Sequence, residues 1–342
     1  MNNKKINLEE LKEVSEKIGN NIDLIQGAGG NTSFKDKKVL WVKASGCWLS
    51  DAKNSDIFVP IDNEEVVELI ENGNVADITI KSNCYQNKYS LHPSIETALH
   101  ALMPHKFVLH VHAVNTLSIA VLSNGKKYTE NLLKDINWAW IPYVMPGIKL
   151  AKSVQCAMRE GPDVIVLANH GLVVGAETAQ QALSLLTLVE DKMKRKVRKT
   201  IEIDNERLLS AISKSNYRMP KYETVHAIAR DGIALKVVET GVLYPDHVVF
   251  LGAGPMMILS IDEFEDGLKE SIFTKSNSVI IVRDFGVVVS RDFSDNAESM
   301  LYCLASVLLR IQEGEELRYL TQEDEMELMD WDAEKYRQSI QR

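Results

Sequence analysis

The sequence predicts an α/β fold, because short apolar segments rich in β-branched residues alternate with segments whose apolar residues recur at helical spacing. The clearest strands are residues 107–114 and 164–168, and the clearest helices are 7–20, 94–103 and 180–198. A chain of 342 residues is long enough for two ordinary domains or one large one.

The elements between these segments are shorter. A glycine-rich loop at residues 27–31 follows the first helix, and strand-like runs follow it at 32–34 and 39–43. Residues 200–221 are polar and contain Pro220, which is typical of a domain boundary. We therefore expect a first domain at 1–205 and a second at 216–342 with a helical tail from Trp331.

Composition narrows the class of protein. Hydrophobic residues make up 45% of the chain and charged residues 25%, and the formal net charge is −9. This balance is typical of a globular protein and argues against unaided binding to a nucleic-acid backbone. We expect no signal peptide and no transmembrane segment, because the first residues are polar and no apolar run reaches transmembrane length. Its four scattered cysteines, without a CxxC pair, favour a reducing cytoplasm and exclude a structural zinc finger.

Part of the second half resembles the first. The segment 163–175 can be aligned with 278–290, and 104–113 with 245–254. Two strand–turn–helix units can be similar by chance, but we favour a degenerate duplicate. In this alignment the three histidines discussed next are all replaced, so the chemistry is expected in the first half.

Three histidines form a candidate metal site. His110 and His112 are two residues apart in a predicted strand, where alternate side chains share a face. His170 ends another apolar strand, and Gly171 after it permits a tight turn. Three neutral imidazoles with one open position make the usual catalytic zinc arrangement, so we expect one Zn²⁺ per chain.

Glu96 is the candidate acid–base residue. It stands in the sequence Pro93-Ser94-Ile95-Glu96, which opens the predicted helix ahead of the two histidines. Ser94 as an N-cap and Glu96 as a first-turn acid explain the pattern structurally. A carboxylate beside a metal-polarised carbonyl could also transfer a proton.

We expect the remaining histidines to have structural roles. His100 lies one helical turn after Glu96 and is expected to hold that carboxylate. We expect surface or loop positions for His92, His105, His226 and His247.

A candidate anion-binding cradle lies in the glycine-rich loop. Backbone N–H groups around Gly30 and Asn31 could surround phosphate or carboxylate oxygens, with further donors at Ser45, Gly46 and Ser94. The loop matches neither a dinucleotide fingerprint nor a nucleotide P-loop.

Taken in order, these motifs resemble the class II aldolase/adducin superfamily over about residues 10–195. The segments on which this resemblance depends are Gly29-Gly30-Asn31-Thr32-Ser33, Ser45-Gly46, Pro93-Ser94-Ile95-Glu96, His110-Val111-His112 and Asn169-His170-Gly171. The resemblance implies a three-layer α/β/α fold around a mainly antiparallel sheet. It also implies zinc held by the three histidines, substrate phosphate bound by Gly30, Asn31, Ser45, Gly46 and Ser94, and Glu96 as the acid/base.

The segments 94–100 and 142–147 look most like the aldolase halves of rhamnulose-phosphate aldolase/dehydrogenase-type proteins, and we expect no dehydrogenase domain in this chain. Ile95 stands where many of these aldolases carry a second serine. The tyrosine that some relatives use as a second acid has no clear equivalent, and Tyr143 is the candidate.

The leading hypothesis is therefore a zinc-dependent aldolase. It would act on a ketose phosphate or a related hydroxy-carbonyl compound through an enediolate. Epimerases, dehydratases and decarboxylases of the same superfamily remain alternatives, as does a non-catalytic adducin-like interaction module. Since active sites in this family lie near subunit interfaces, we expect a homo-oligomer, either a dimer or a tetramer, with no nucleic-acid or membrane partner.

Overall fold

A computed structural model describes residues 2–72, 91–200, 205–274 and 277–331. Its contacts divide the chain into two compact units. Of the described residues, the first contains those up to Ala120 and Asn124–Lys194, and the second contains Val121–Ser123 and those from Arg195 onward. No helix in the described ranges is long and apolar enough to cross a membrane.

The first unit consists of one large sheet and the helices around it. Its strands are β1 (Asn31–Asp36), β2 (Val39–Lys43), β3 (Phe58–Asp62), β4 (Phe107–Val111), β5 (Trp138–Ile141), β6 (Val164–Leu167) and β7 (Gly171–Ala176). Its helices are α1 (Asn2–Gly19), α2 (Asn63–Glu71), α3 (Thr97–Leu102), α4 (Val114–Ala120), α5 (Gly125–Leu132), α6 (Ile148–Ala157) and α7 (Ala179–Lys192).

The seven strands lie in the order β3-β2-β1-β4-β7-β6-β5. Every pairing is antiparallel except that of β5 with β6. The expected mainly antiparallel sheet is therefore confirmed.

Helices cover both faces of this sheet, because neighbouring residues of a strand point to opposite faces. On one face α1 and α7 form a core with β4, β6 and β7, and its members include Leu11, Val14, Leu186, Val189, Leu109, Val166 and Val174. On the other face α3 and α6 form a core with the same strands, and its members include Leu99, Met103, Leu150, Val154, Val108, Ile165 and Val173. The arrangement is the expected three-layer α/β/α sandwich.

Several element boundaries differ from the predicted ones. The strand predicted at 107–114 ends at Val111, and Val114 already begins α4. The helix predicted at 94–103 begins at Thr97, because Ser94 forms a separate turn in which its Oγ accepts from the Glu96 N–H. Ser94 is therefore not the helix N-cap. The helix predicted at 180–198 ends at Lys192.

The second unit contains a smaller sheet. Its strands are β8 (Tyr217–Arg218), β9 (Ile258–Leu259), β10 (Val279–Val282) and β11 (Gly286–Ser290), in the order β8-β11-β10-β9. Its helices are α8 (Glu206–Ile212), α9 (Ala227–Arg230), α10 (Gly232–Thr240), α11 (Pro245–Leu251), α12 (Ile261–Glu270), α13 (Asp295–Leu308) and α14 (Gln322–Asp330). The remainder of the predicted tail, residues 332–342, lies outside the described residues.

Of the two pairs of aligned segments, one pair has the same secondary structure and the other does not. Val164 pairs with Val174 in the β6–β7 hairpin, and Val279 pairs with Val289 at the aligned positions of the β10–β11 hairpin. By contrast, the segment aligned with the β4 strand forms helix α11, which Pro245 begins at a position where its fixed φ suits a helix. Strand β8 pairs antiparallel with β11, and β4 pairs antiparallel with β7.

Two histidines of the second unit are buried, contrary to the prediction of surface or loop positions. His226 is 2% exposed and His247 is 1% exposed. Each ring accepts a backbone N–H at Nδ1, from Val287 and Leu243 respectively. These bonds offset part of the cost of burying an imidazole.

Candidate metal centre and active site

Strand β4 places His110 on the face of the sheet that α3 covers. The His110 side chain is fully buried, and its Nδ1 lies 3.1 Å from the carbonyl oxygen of Leu172 on β7. A carbonyl only accepts, so in the neutral ring Nδ1 carries the proton and Nε2 is the nitrogen that can bind a metal. A backbone acceptor of this kind is the usual way in which a protein orients a metal-binding imidazole.

The two other histidines meet His110 from different segments. His112, just beyond β4, places its Nε2 3.2 Å from the Nε2 of His110. His170 lies in the turn between β6 and β7, where Asn169 adopts a left-handed conformation with φ of 52°. Asparagine tolerates this conformation better than most residues, so the turn can project the following side chain toward the cluster.

The three rings form a nearly equilateral triangle. Their centroids are 5.0, 5.1 and 5.3 Å apart, and one nitrogen from each lies within 4.8 Å of the others. Two nitrogens on a tetrahedral zinc ion are separated by about 3.3 Å when each bond is about 2.05 Å. The 3.2 Å separation of His110 and His112 fits that value. The donor set therefore suits a divalent metal such as zinc.

Glu96 lies directly beside this cluster. Its carboxylate oxygens are 3.3 Å from His110 Nε2 and 3.2 Å from His170 Nε2, and the Asn31 amide donates to the carboxylate at 2.6 Å. Burial alone would raise the pKa of the Glu96 carboxyl. The adjacent His110 and His170 outweigh this effect of burial and hold the pKa of Glu96 well below its usual range. The carboxylate is thus ionised at neutral pH.

The predicted anion-binding segments converge next to Glu96. An isolated bridge pairs Ala44 with Pro93, and the Ser94 N–H donates to the Lys43 carbonyl, so the Ser45-Gly46 turn and Ser94 are neighbours. Gly30 and Gly46 both have positive φ, at 60° and 75°, as tight backbone turns require.

Lys43 joins two of these segments, a contact that the sequence analysis missed. Its buried ammonium donates to the carbonyl of Ala28 at 2.7 Å and to that of Cys47 at 2.9 Å. The glycine-rich loop and the turn at Gly46 are therefore tied together through one buried positive charge. A lysine at the end of a strand between two glycine-containing loops is the only sequence signal for this role.

Tyr143 lies at the same edge of the sheet as His170. Strand β5 runs parallel to β6, and the Ile141 carbonyl accepts from the Ala168 N–H. The backbone just beyond β5 therefore runs beside the turn that carries His170. The Tyr143 side chain is 7% exposed.

His100 does not hold Glu96, contrary to the prediction. Its Nδ1 instead shares a 2.7 Å hydrogen bond with the Ser33 hydroxyl on β1. Burial, followed by the charge of His110, lowers the pKa of His100 to about 3, so this imidazole is neutral. Helical spacing correctly places His100 one turn after Glu96, but it does not reveal the hydrogen-bond partner of His100. That partner is decided by the register of β1, which brings Ser33 to face His100.

Comparisons with known proteins agree with this geometry. Residues 9–197 match the family model described as Class II Aldolase and Adducin N-terminal domain. The chain is 32% identical over 187 residues to the uncharacterized oxidoreductase YuxG of Bacillus subtilis, a match that covers 51% of this chain but only 27% of that protein. It is 23% identical over 172 residues to an L-fuculose phosphate aldolase of Methanococcus maripaludis, covering 49% of this chain and 83% of the relative.

Among solved structures, the N-terminal class II aldolase domain of a conserved protein from Thermoplasma acidophilum is similar to this chain. The two share 31% sequence identity with a TM-score of 0.48, over 54% of this chain and 91% of that one.

Proposed function

Because the chain belongs to the class II aldolase and adducin family, we propose that it is a zinc-dependent aldolase that acts on a ketose phosphate or a related hydroxy-carbonyl compound. The observation that carries the proposal is the position of Glu96. An ionised, buried carboxylate lies 3.2 to 3.3 Å from two of three convergent histidines. An aldolase needs both groups, a metal site and a proton-transfer residue beside it.

The proposed roles follow from the contacts. His110, His112 and His170 hold the metal, which when bound supplies a Lewis acid for the substrate carbonyl. In the direction of bond formation Glu96 removes a proton from the carbon next to that carbonyl, and in cleavage it returns one. The Asn31 amide donates to the carboxylate, and a hydrogen bond of this kind favours the ionised, basic form that proton removal requires.

The cradle binds the charged end of the substrate in this proposal. Backbone N–H groups of Gly30 and Gly46 and the hydroxyls of Ser45 and Ser94 are the donors, and the Lys43 ammonium lies between the loops. Asn31, expected among the phosphate ligands, donates its amide to Glu96, so we assign it to orienting the carboxylate. Tyr143 is our candidate for proton transfer at a substrate oxygen.

The experiment that tests this function uses Glu96→Gln with zinc bound. General-base catalysis contributes about 10²–10⁴-fold, so cleavage of a ketose phosphate should slow by at least about 100-fold while zinc content stays that of wild type. Glu64→Gln, an exposed substitution with the same chemical change, should retain full activity. Intact aldol cleavage by zinc-loaded Glu96→Gln would contradict the assigned role.

Product analysis separates the aldolase from related reactions. An aldolase yields two carbonyl fragments, whereas an epimerase returns an isomer of equal mass and a decarboxylase releases carbon dioxide. A wild-type protein that takes up no zinc would instead favour an adducin-like interaction module.

We also propose that the second unit is a degenerate duplicate. The aligned hairpins β6–β7 and β10–β11 have matching registers, and both turns contain a residue with positive φ, Asn169 and Asp284. Phe285 stands where the first unit has His170, so the duplicate offers no metal ligand at this position. In this proposal the chain forms a homo-oligomer in the cytoplasm, and mass photometry showing an active monomer would refute the assembly.

A further inference from the structure

One face of strand β1 is bonded along its length to α3 and the residues that flank it. Asn31, Ser33 and Lys35 alternate along the strand and share that face. Asn31 donates to the Glu96 carboxylate, Ser33 pairs with the His100 ring, and Lys35 donates to the His100 carbonyl. We call these three contacts the polar seam.

The polar seam is in register because the repeat distance along the strand is close to the repeat distance along the helix. Two residues of a strand advance by about 6.7 Å, and four residues of a helix advance by about 6.0 Å. Asn31 and Ser33 therefore meet Glu96 and His100 in register. A shift of the helix by one residue, about 1.5 Å, would break both hydrogen bonds.

Helix α3 depends on such external contacts for its position. It has six residues, from Thr97 to Leu102, and isolated helices of this length are not stable in water. Apolar contacts of Leu99 and Ala101 hold it on the sheet. Apolar contacts are non-directional, so they permit small displacements along the strand that a hydrogen bond does not.

Stability alone does not account for a polar pair at this place. Ser33 and His100 are both fully buried. Replacing both members of a buried hydrogen-bonded pair with apolar groups of similar shape is often nearly neutral for stability. What the Ser33–His100 bond adds is a defined position for the helix whose N-cap residue is Glu96.

We propose that Ser33 and His100 are positioning residues, which hold the Glu96 carboxylate at its place beside His110 and His170. The kinetic part of this inference rests on the proposed role of Glu96 in proton transfer. The geometric part does not, since it concerns only where the carboxylate lies.

The test compares the double variant Ser33→Ala/His100→Leu with wild type. This variant removes both polar partners together, so zinc content and melting temperature should stay close to those of wild type. We expect kcat to fall about tenfold or more, since small misplacements of reacting groups can cost about 10²-fold, while KM changes less than about twofold. His100→Asn, whose amide lies near the position of the imidazole Nδ1, should recover most of kcat with Ser33 intact.

A crystal structure of the zinc-loaded double variant provides the second readout. We expect the Glu96 carboxylate to be displaced from its 3.3 Å separation from His110 Nε2. Unchanged kcat with an unmoved carboxylate would overturn the proposal. A fall in kcat that only parallels loss of zinc or of folded protein would also overturn it, because the pair would then be structural.

Two further outcomes are distinguishable. If the double variant does not fold, the single variant Ser33→Ala is judged by the same kinetic and crystallographic criteria. If wild type cleaves no hydroxy-carbonyl compound, the proposed function fails, and the displacement of Glu96 alone decides whether Ser33 and His100 position it.

Discussion

Gly171 is the residue at which the structure makes the sharpest prediction about the metal centre. A Cβ atom added at Gly171 would lie 2.5 Å from the Val111 carbonyl oxygen, 3.2 Å from His112 Cδ2 and 3.3 Å from His110 Cε1. The first distance is too short for any real contact, and the atom it meets belongs to the backbone. Gly171→Ala must therefore separate the backbone of Val111 from that of residue 171, and the added methyl group also crowds both histidine rings.

The size of the effect follows from the required displacement. Reaching the 3.4 Å lower limit of an ordinary contact means opening the site by roughly 0.9 Å from the 2.5 Å starting distance. Overpacking of this kind costs about 1–3 kcal/mol. If that strain opposes the metal-bound arrangement, the zinc Kd should rise by about 5- to 150-fold.

The assay is competition for zinc between the protein and a chelator of known affinity. Gly232→Ala is the control without a clash, since a methyl group there meets no atom within 4 Å. Gly286→Ala is the matched control, because its methyl group would lie 2.6 Å from His226 Nδ1 in the second unit. It should lower stability without changing zinc affinity. A folded Gly171→Ala protein with wild-type zinc affinity would refute the reasoning.

Two other predictions concern buried titratable side chains. Burial lowers the pKa of His247 from 6.5 to about 3, so below pH 6.5 the unfolded chain takes up a proton that the folded chain does not. This contribution to stability is therefore complete above pH 6.5 and is lost as pH falls toward 3, by up to about 1.4 kcal/mol per pH unit. Urea unfolding between pH 4 and 7 should show a flatter dependence for His247→Gln, and an unchanged slope would contradict the assignment. Lys43→Met removes the bonds to Ala28 and Cys47. It should lower stability by about 1–3 kcal/mol and raise KM for an anionic substrate more than it lowers kcat, and an unaltered KM would argue against the cradle.

Local patterns in the sequence predicted much of the fold and the histidine cluster. Alternation and β-branching located β4 and β6, and the spacing of His110, His112 and His170 relative to those strands predicted a cluster that the structure brings together. These features depend on residues near one another in the chain or on strand ends that share an edge. Such information is available without knowing the register of the sheet.

The contacts of Glu96 and His100 with β1 were not predictable in the same way. Asn31 reaches Glu96 across 65 residues of sequence, and Ser33 reaches His100 across 67. Which side chains meet depends on the pairing of β1 with β4 and on the packing of α3, neither of which leaves a local pattern. Helix α11 shows the same limit, because the strand-like residues after Pro245 fold as a helix.

We propose that His110, His112 and His170 form a metal centre, and metal content tests this most directly. Inductively coupled plasma mass spectrometry should find about one zinc per chain in wild type and almost none in His110→Ala/His112→Ala. Wild type purified without chelators, yet free of metal and unable to take up zinc, would contradict the claim.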